Sequence, residues 1–346
     1  MNHYPSNVKE KLNSIILSMA EHHWLFSKNP GHDFTRQHLG KLSFYDTMRL
    51  IISMGKGSTN DEIMDYFDLD PDLIPSQSAF CQRRRQISLS AFEYLFSEFS
   101  SSFPSTTDKF KDHCILACDG CHVVYATNSD IIEDYNKPRL IDYKGYNHMH
   151  LNGFVDVISK AFLDVVIQPG QQPDEREALH SMLDHFTPDD PQKYIITADR
   201  GYESYDLLFH CELKNLGYVF RVKSPFSPKS ILSYYASELP DDLEEFDVTI
   251  KRFFTDKATN IMKSQSDVYR YINPSKNTPH FYELLRKNHS HLYFLQFRVV
   301  KIKTAGISKT GNLFPPDSVQ FLHFYCKRSG RRKPEKETGW QQQVSL

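Results

Sequence analysis

Two aspartates carry the chemistry that the chain advertises most plainly. Asp119 leaves the apolar run His113-Cys-Ile-Leu-Ala-Cys-Asp-Gly120, and Asp199 leaves Tyr194-Ile-Ile-Thr-Ala-Asp-Arg-Gly-Tyr-Glu203. Carboxylates fixed at adjacent strand ends hold divalent metal for phosphoryl transfer, because Mg²⁺ takes oxygen ligands in a rigid frame. The pair predicts a nuclease-like site, which ordinarily needs a third carboxylate. Each aspartate also has a bland reading, since Asp before Gly is common in turns and Asp199 could cap the next helix.

Positioning two such residues requires a sheet. The strand over 114–117 delivers Asp119, the runs His150–Ile158 and Ala161–Ile167 read as a hairpin turning at Ser159-Lys160, and a helix follows over Pro173–Phe186. A short β-branched strand, Lys193–Ala198, then ends at Asp199; a helix over Ser204–Leu216 and a strand over Tyr218–Val222 complete the order β-β-β-α-β-α-β. That order predicts a ribonuclease-H-like core in which the first and fourth strands lie side by side. Spacing of about 80 positions then collapses to metal-sharing distance.

Upstream, the chain reads as helical over Val8–Glu21, Ser43–Met54 and Thr59–Phe67, with Phe44, Met48, Ile51 and Ile52 at helical spacing, Ser43 as N-cap and Thr59–Glu62 as a capping box. A fourth helix begins at Ser76 and displays Gln77, Gln82, Arg83, Arg84 and Arg85 beside a narrow stripe of Ala79, Phe80 and Ile87. Hydrogen-bonding groups and cations on one face suit bases and phosphates, although a solvated charged face has the same composition. The helix over Leu89–Phe99 reads as core, and Ser97–Thr107 as a linker. Beyond Pro225, charged and aromatic residues alternate, which predicts antiparallel strands. On them Lys251, Arg252, Arg298, Lys301 and Lys303 either line a phosphate-binding surface or protect strand edges.

Bulk properties constrain this little. The 346 residues suffice for two or three domains, and 40% hydrophobic residues support buried cores. A formal net charge of −2 leaves any DNA contact to local patches. Six cysteines make no disulfide framework here, and alternation along a strand would send Cys118 and Cys121 of the one C-x-x-C motif to opposite faces, so structural thiols are expected. No apolar run reaches membrane-spanning length and the N-terminus lacks a signal-peptide layout, which predicts a cytoplasmic protein with no membrane partner.

Taken together, Ala117-Cys-Asp-Gly120, Thr197-Ala-Asp-Arg-Gly-Tyr-Glu203, Lys41-Leu-Ser-Phe44 and Ser78–Arg85 resemble bacterial insertion-sequence transposases of the DDE superfamily, in the group with a β-rich insertion between the second Asp and the catalytic Glu. The resemblance implies an α/β fold with four parts: a helical DNA-binding region at 1–108, a ribonuclease-H-like core at 109–224, a β-rich insertion at 225–325 and an irregular tail at 326–346. It also implies Asp119 and Asp199 as catalytic metal ligands for Mg²⁺, with Mn²⁺ substituting, and Arg200 and Tyr202 at the DNA backbone. The partners would be double-stranded DNA, as element terminal repeats and target, and a second copy of the chain on paired ends, in the bacterial nucleoid. The family places its Glu in the pattern Tyr, two residues, Arg, three residues, Glu, six residues, Lys. Here Tyr325 and Arg328 start that spacing, but Arg332 and Gly339 occupy the last two positions, as expected of a product truncated or frameshifted after the insertion. Three readings follow: a DDE transposase lacking its third acid, a non-catalytic DNA-binding remnant, or a related nuclease using Glu203 or Asp206.

Overall fold

The computed structural model describes residues 4–35, 42–102, 109–138, 144–240, 242–273, 278–303 and 319–325. The chain divides into two compact units, Met1–Pro104 and Ser105–Leu346. The expected tail at 326–346, and with it the Tyr325-to-Lys spacing, lies outside the described residues. No described helix is long and apolar enough to cross a membrane.

In the first unit the helices are α1 (Tyr4–Glu21), α2 (Phe44–Ser53), α3 (Thr59–Tyr66), α4 (Gln77–Gln86) and α5 (Leu89–Ser101). Ser43 caps α2 as its sequence suggests. Its hydroxyl accepts from Asp46 N at 3.0 Å, and Asp46 Oδ2 accepts in return from Ser43 N at 3.2 Å. The box at α3 sits one residue earlier than expected, with Ser58 as cap and Asp61 as its partner. Glu62 is thereby released to accept from Gly55 N at 2.9 Å and Gly57 N at 2.7 Å, closing the turn before the helix. Phe44 and Met48 are buried, but Ile52 is exposed and Leu50 takes the inward position. The expected linker is shorter at its start, because α5 continues through Ser101. Since Ser43 satisfies two groups at once, Ser43→Ala is expected to cost about 1 kcal/mol in urea unfolding.

The second unit is built on one sheet with strands β1 (Cys114–Tyr125), β2 (Tyr135–Asn136), β3 (Tyr146–Asp156), β4 (Phe162–Pro169), β5 (Tyr194–Ala198), β6 (Gly217–Val222), β7 (Phe246–Thr255), β8 (Tyr269–Tyr271), β9 (Leu292–Lys303) and β10 (Val319–Tyr325). Helices α6 (Glu175–His185), α7 (Tyr205–Leu213), α8 (Asn260–Ser264) and α9 (Pro279–Lys287) complete it. The strand order is β2-β3-β1-β5-β6-β10-β9-β7-β8, with β4 also on β3. β1, β5 and β6 are mutually parallel, whereas β3 runs against β1 and β4 against β3.

One expectation needs correcting. Asp119 does not end its strand: β1 runs six residues further because Gly120–Tyr125 pair with β3. After residue 225, β9 lies antiparallel between β7 and β10. β10 pairs with β6 on one side and β9 on the other, so they extend the same sheet. One core, including Leu116, Phe154, Leu179, Ile196, Leu207 and Phe220, lies under the first half, and another, including Phe209, Phe254, Phe281 and Phe297, under the second. At about 25 cal/mol per Å², burying such side chains supplies most of the unit's favourable folding energy.

Candidate active site

β1 and β5 end their shared ladder together. Cys118 faces Ala198 in the last paired position, so the next residues, Asp119 and Asp199, emerge side by side from parallel strands. Both are exposed. Local bonds hold each carboxylate: Asp119 Oδ1 accepts from Gly120 N at 2.9 Å, and Asp199 Oδ1 from Gly201 N at 2.6 Å. The companion reading of Asp199 as a helix cap does not apply, because Ser204 caps α7 by accepting from Asp206 N.

A third carboxylate joins Asp199. Glu175 opens α6, and a β-carbon added to Gly201 would stand 2.6 Å from Glu175 Oε2 and 3.0 Å from Asp199 Oδ1, so the two side chains converge on one point. Arg176 Nε donates to Gly201 O at 3.2 Å, which ties the start of α6 to the loop bearing Asp199. The helix N-terminus also favours a carboxylate there. Strand parity explains the meeting: β4 is antiparallel to β3 and β3 to β1, so β4 runs with β1 and hands the chain to α6 at the Asp119 end of the sheet.

The floor is polar and buried. His150 Nε2 lies 3.4 Å from Glu175 Oε1, out of line for a hydrogen bond, and neither ring nitrogen of His150 is hydrogen-bonded. A β-carbon on Gly120 would stand 2.4 Å from that same Nε2 and 3.0 Å from Asn152 Oδ1, so glycine at 120 is what admits both residues beside Asp119. Cys118 sits beneath, its thiol pushed up to about 12 by burial, relieved in part by a hydrogen bond with Tyr202 and raised further by Asp119, Glu175 and Asp199. That thiol stays protonated and inert, while Cys121 faces the opposite way and is exposed. Glu175 and Asp199 meeting at Gly201, with Asp119 on the neighbouring strand, offer oxygen donors of the kind a hard divalent cation takes.

Several expected contacts are placed elsewhere. Tyr202 is wholly buried; its hydroxyl, raised above its ordinary pKa by burial, reaches toward Asn152, so it cannot meet a DNA backbone. Arg200 stays exposed beside Asp199. Arg252 is 4% exposed, paired with Glu238 and stacked 5.3 Å from the Tyr235 ring, because alternation along β7 turns it inward with Ile250 and Phe254. Arg298 is engaged across the ladder by Asp247, whose carboxyl it holds below the usual range. Lys301 is buried near the Phe246 ring, Lys251 remains exposed, and the side chain of Lys303 lies outside the described residues.

Glu203 and Asp206, the local candidates for a third ligand, are spent on structure. Glu203 accepts from Lys223 N at 2.6 Å and Ile231 N at 3.2 Å, and Asp206 from His280 N at 3.1 Å and Phe281 N at 3.2 Å. In the first unit Ser76 caps α4 by accepting from Ala79 N, Arg83 bonds Gln86 over the Phe34 ring, and Arg84 lies over Phe80. Gln77, Gln82, Arg84 and Arg85 form the exposed side of that helix. Sequence reasoning missed Glu175 and His150; the cluster Asp174-Glu-Arg-Glu177 at a predicted helix start was the available signal.

No curated protein matches the chain. A solved structure, the cryo-EM piggyBac transposase synaptic complex with hairpin DNA, aligns at 11% identity and a TM-score of 0.39, covering 83% of this chain and 51% of that one, so the chain spans about half its length. A family model described as the transposase DDE domain matches residues 110–295, which include Asp119, Asp199, Glu175 and the strands beneath them. With more than half of its residues inside that match, the chain belongs to the DDE transposase-domain family.

Proposed function

We propose that the chain is a DNA transposase that cleaves phosphodiesters at Asp119, Asp199 and Glu175. The observation carrying this reading is the approach of Glu175 to Asp199 at Gly201, on the strand beside Asp119, which supplies a third carboxylate that the residues after Tyr325 do not spell. DDE transposases use divalent metal ions; Mg²⁺, with Mn²⁺ as substitute, suits these oxygen ligands. Such an ion, when bound, polarises the scissile phosphate and lowers the pKa of the attacking water. The residues of the chain hold and orient: β1 and β5 fix the aspartates, Arg176 braces the Asp199 loop, and His150 limits the swing of Glu175.

In this proposal the core is ribonuclease-H-like, of the insertion-sequence type with a β-rich insertion. The helical region reads terminal repeats of double-stranded DNA through Gln77, Gln82, Arg84 and Arg85, and Arg200 and Lys251 meet phosphates. Two copies would assemble on paired ends in the bacterial nucleoid. A second reading, a DNA-binding remnant that interferes with transposition, is favoured by Arg332 at the family's Glu position.

Cleavage of DNA carrying the terminal repeats that flank the coding sequence separates the two. The unmutated chain is expected to nick it with Mg²⁺ or Mn²⁺, and Asp119→Asn or Asp199→Asn to lose at least about 10²-fold while retaining end binding. Retained binding with no metal-dependent product from the unmutated chain would replace the first reading by the second.

A further inference from the structure

A second cluster of ligating groups lies where α6, α7 and α9 meet. His180, His210 and His280, one from each helix, place ring nitrogens within 4.8 Å of one another. Their rings stack nearly parallel, with centroids 4.4 Å apart for His180 and His280, 3.9 Å for His210 and His280, and 5.1 Å for His180 and His210. Asp206 stands four residues before His210 on the same face of α7, and Asp184 four residues after His180 on α6. Asp206 and His210 are almost wholly buried, while His180 and His280 keep a narrow opening to solvent.

Proton accounting shows what the cluster lacks. His280 Nδ1 donates to Asp206 Oδ2 at 2.7 Å. His180 Nδ1 and His210 Nδ1 are 2.9 Å apart, so one must donate to the other, and His210 Nε2 lies 3.2 Å from Asp184 Oδ1. A neutral imidazole has one N–H. If His210 gives its proton to Asp184, His180 must donate to His210, and a bare lone pair on His180 Nε2 then faces Asp206 Oδ2 at 3.6 Å. The opposite assignment leaves a bare lone pair on His210 Nε2, 3.2 Å from the exposed carboxylate of Asp184. A cation between the lone pairs resolves the conflict.

We infer that His180, His210 and His280 form a zinc site, separate from the carboxylates at Asp119 and Asp199, with Asp206 holding the His280 ring through its Nδ1–H. Imidazole is an ordinary donor for zinc, and three of them leave the fourth tetrahedral position to water. Zn–N bonds of about 2.0–2.1 Å put ligand atoms about 3.3 Å apart, so loading the ion requires the stacked rings to turn and the 2.9 Å contact between His180 and His210 to open. The ion would staple α9 to α6, the helix that begins at Glu175.

The test uses the full chain. Purified without chelator, it is expected to hold about one zinc per chain, and after chelation to bind about one Co²⁺ with visible d–d absorption and no thiolate charge-transfer band. Zinc should raise the melting temperature of the stripped chain in the presence of excess Mg²⁺. His180→Gln and His280→Gln should each weaken Co²⁺ binding at least about tenfold, whereas Asp119→Asn leaves it unchanged. Absence of stoichiometric zinc and cobalt, or Co²⁺ affinity in both histidine variants unchanged from that of the unmutated chain, would overturn the site. If neither variant folds, the unmutated spectrum decides: a thiolate band assigns the ion to cysteine and overturns the inference, and a d–d band without one supports it.

Discussion

Glu175→Gln is expected to lower metal-dependent strand cleavage by about 10²–10³-fold, close to the loss in Asp199→Asn, with end binding intact. Glutamine keeps the length of the side chain and its place on α6, so what disappears is one negative charge next to Asp199 Oδ1. The same change should weaken Mn²⁺ binding, followed by electron paramagnetic resonance, because a hard cation loses an anionic oxygen. Cleavage by Glu175→Gln at the unmutated rate would mean that the third ligand comes from another part of the chain. The measurement is sharper than alanine substitution, which would also unseat His150.

Asp206→Ala is expected to destabilise the zinc-free protein by about 3–5 kcal/mol in urea unfolding, the range for breaking a buried charged network. Asp206 Oδ1 accepts two backbone N–H groups that open α9, and Oδ2 accepts from the His280 ring, so alanine strands three donors at once. Asp206→Asn keeps an amide oxygen for the N–H groups and should cost less, about 1–2 kcal/mol. Equal losses in the two variants would show that the carboxylate's charge, and not its role as acceptor, carries the effect.

The helices and most strands were legible because their apolar periodicity is strong and their caps are local: Ser43 and Asp46 are three residues apart, and Asp119 and Asp199 stand at the ends of runs visible in the sequence. What was not legible depended on partners distant in the chain. Glu175 reaches Asp199 only through the parity of three antiparallel strands. Arg252 looked like a surface cation because its partner Glu238 lies on another segment, and only the inward turn of β7 shows that Ile250, Arg252 and Phe254 share a face. Tyr202, expected at the DNA backbone, is core because Cys118 and Asn152 meet its hydroxyl from two different strands. The continuity of the sheet was hidden for the same reason, since the pairing of β10 with β6 spans a hundred residues.

That pairing has a consequence for synthesis. β10 is the last described strand to leave the ribosome, yet it lies in the middle of the sheet, between β6 and β9. The β1–β6 half and the β7–β9 half can each form their ladders as they emerge, but their backbones cannot be joined until residues 319–325 arrive. Until then β6 and β9 present open edges, which are templates for pairing with another chain. The nascent protein is thus most exposed to misassembly just before its sheet is sealed, and the strand that seals it acts as a keystone set last.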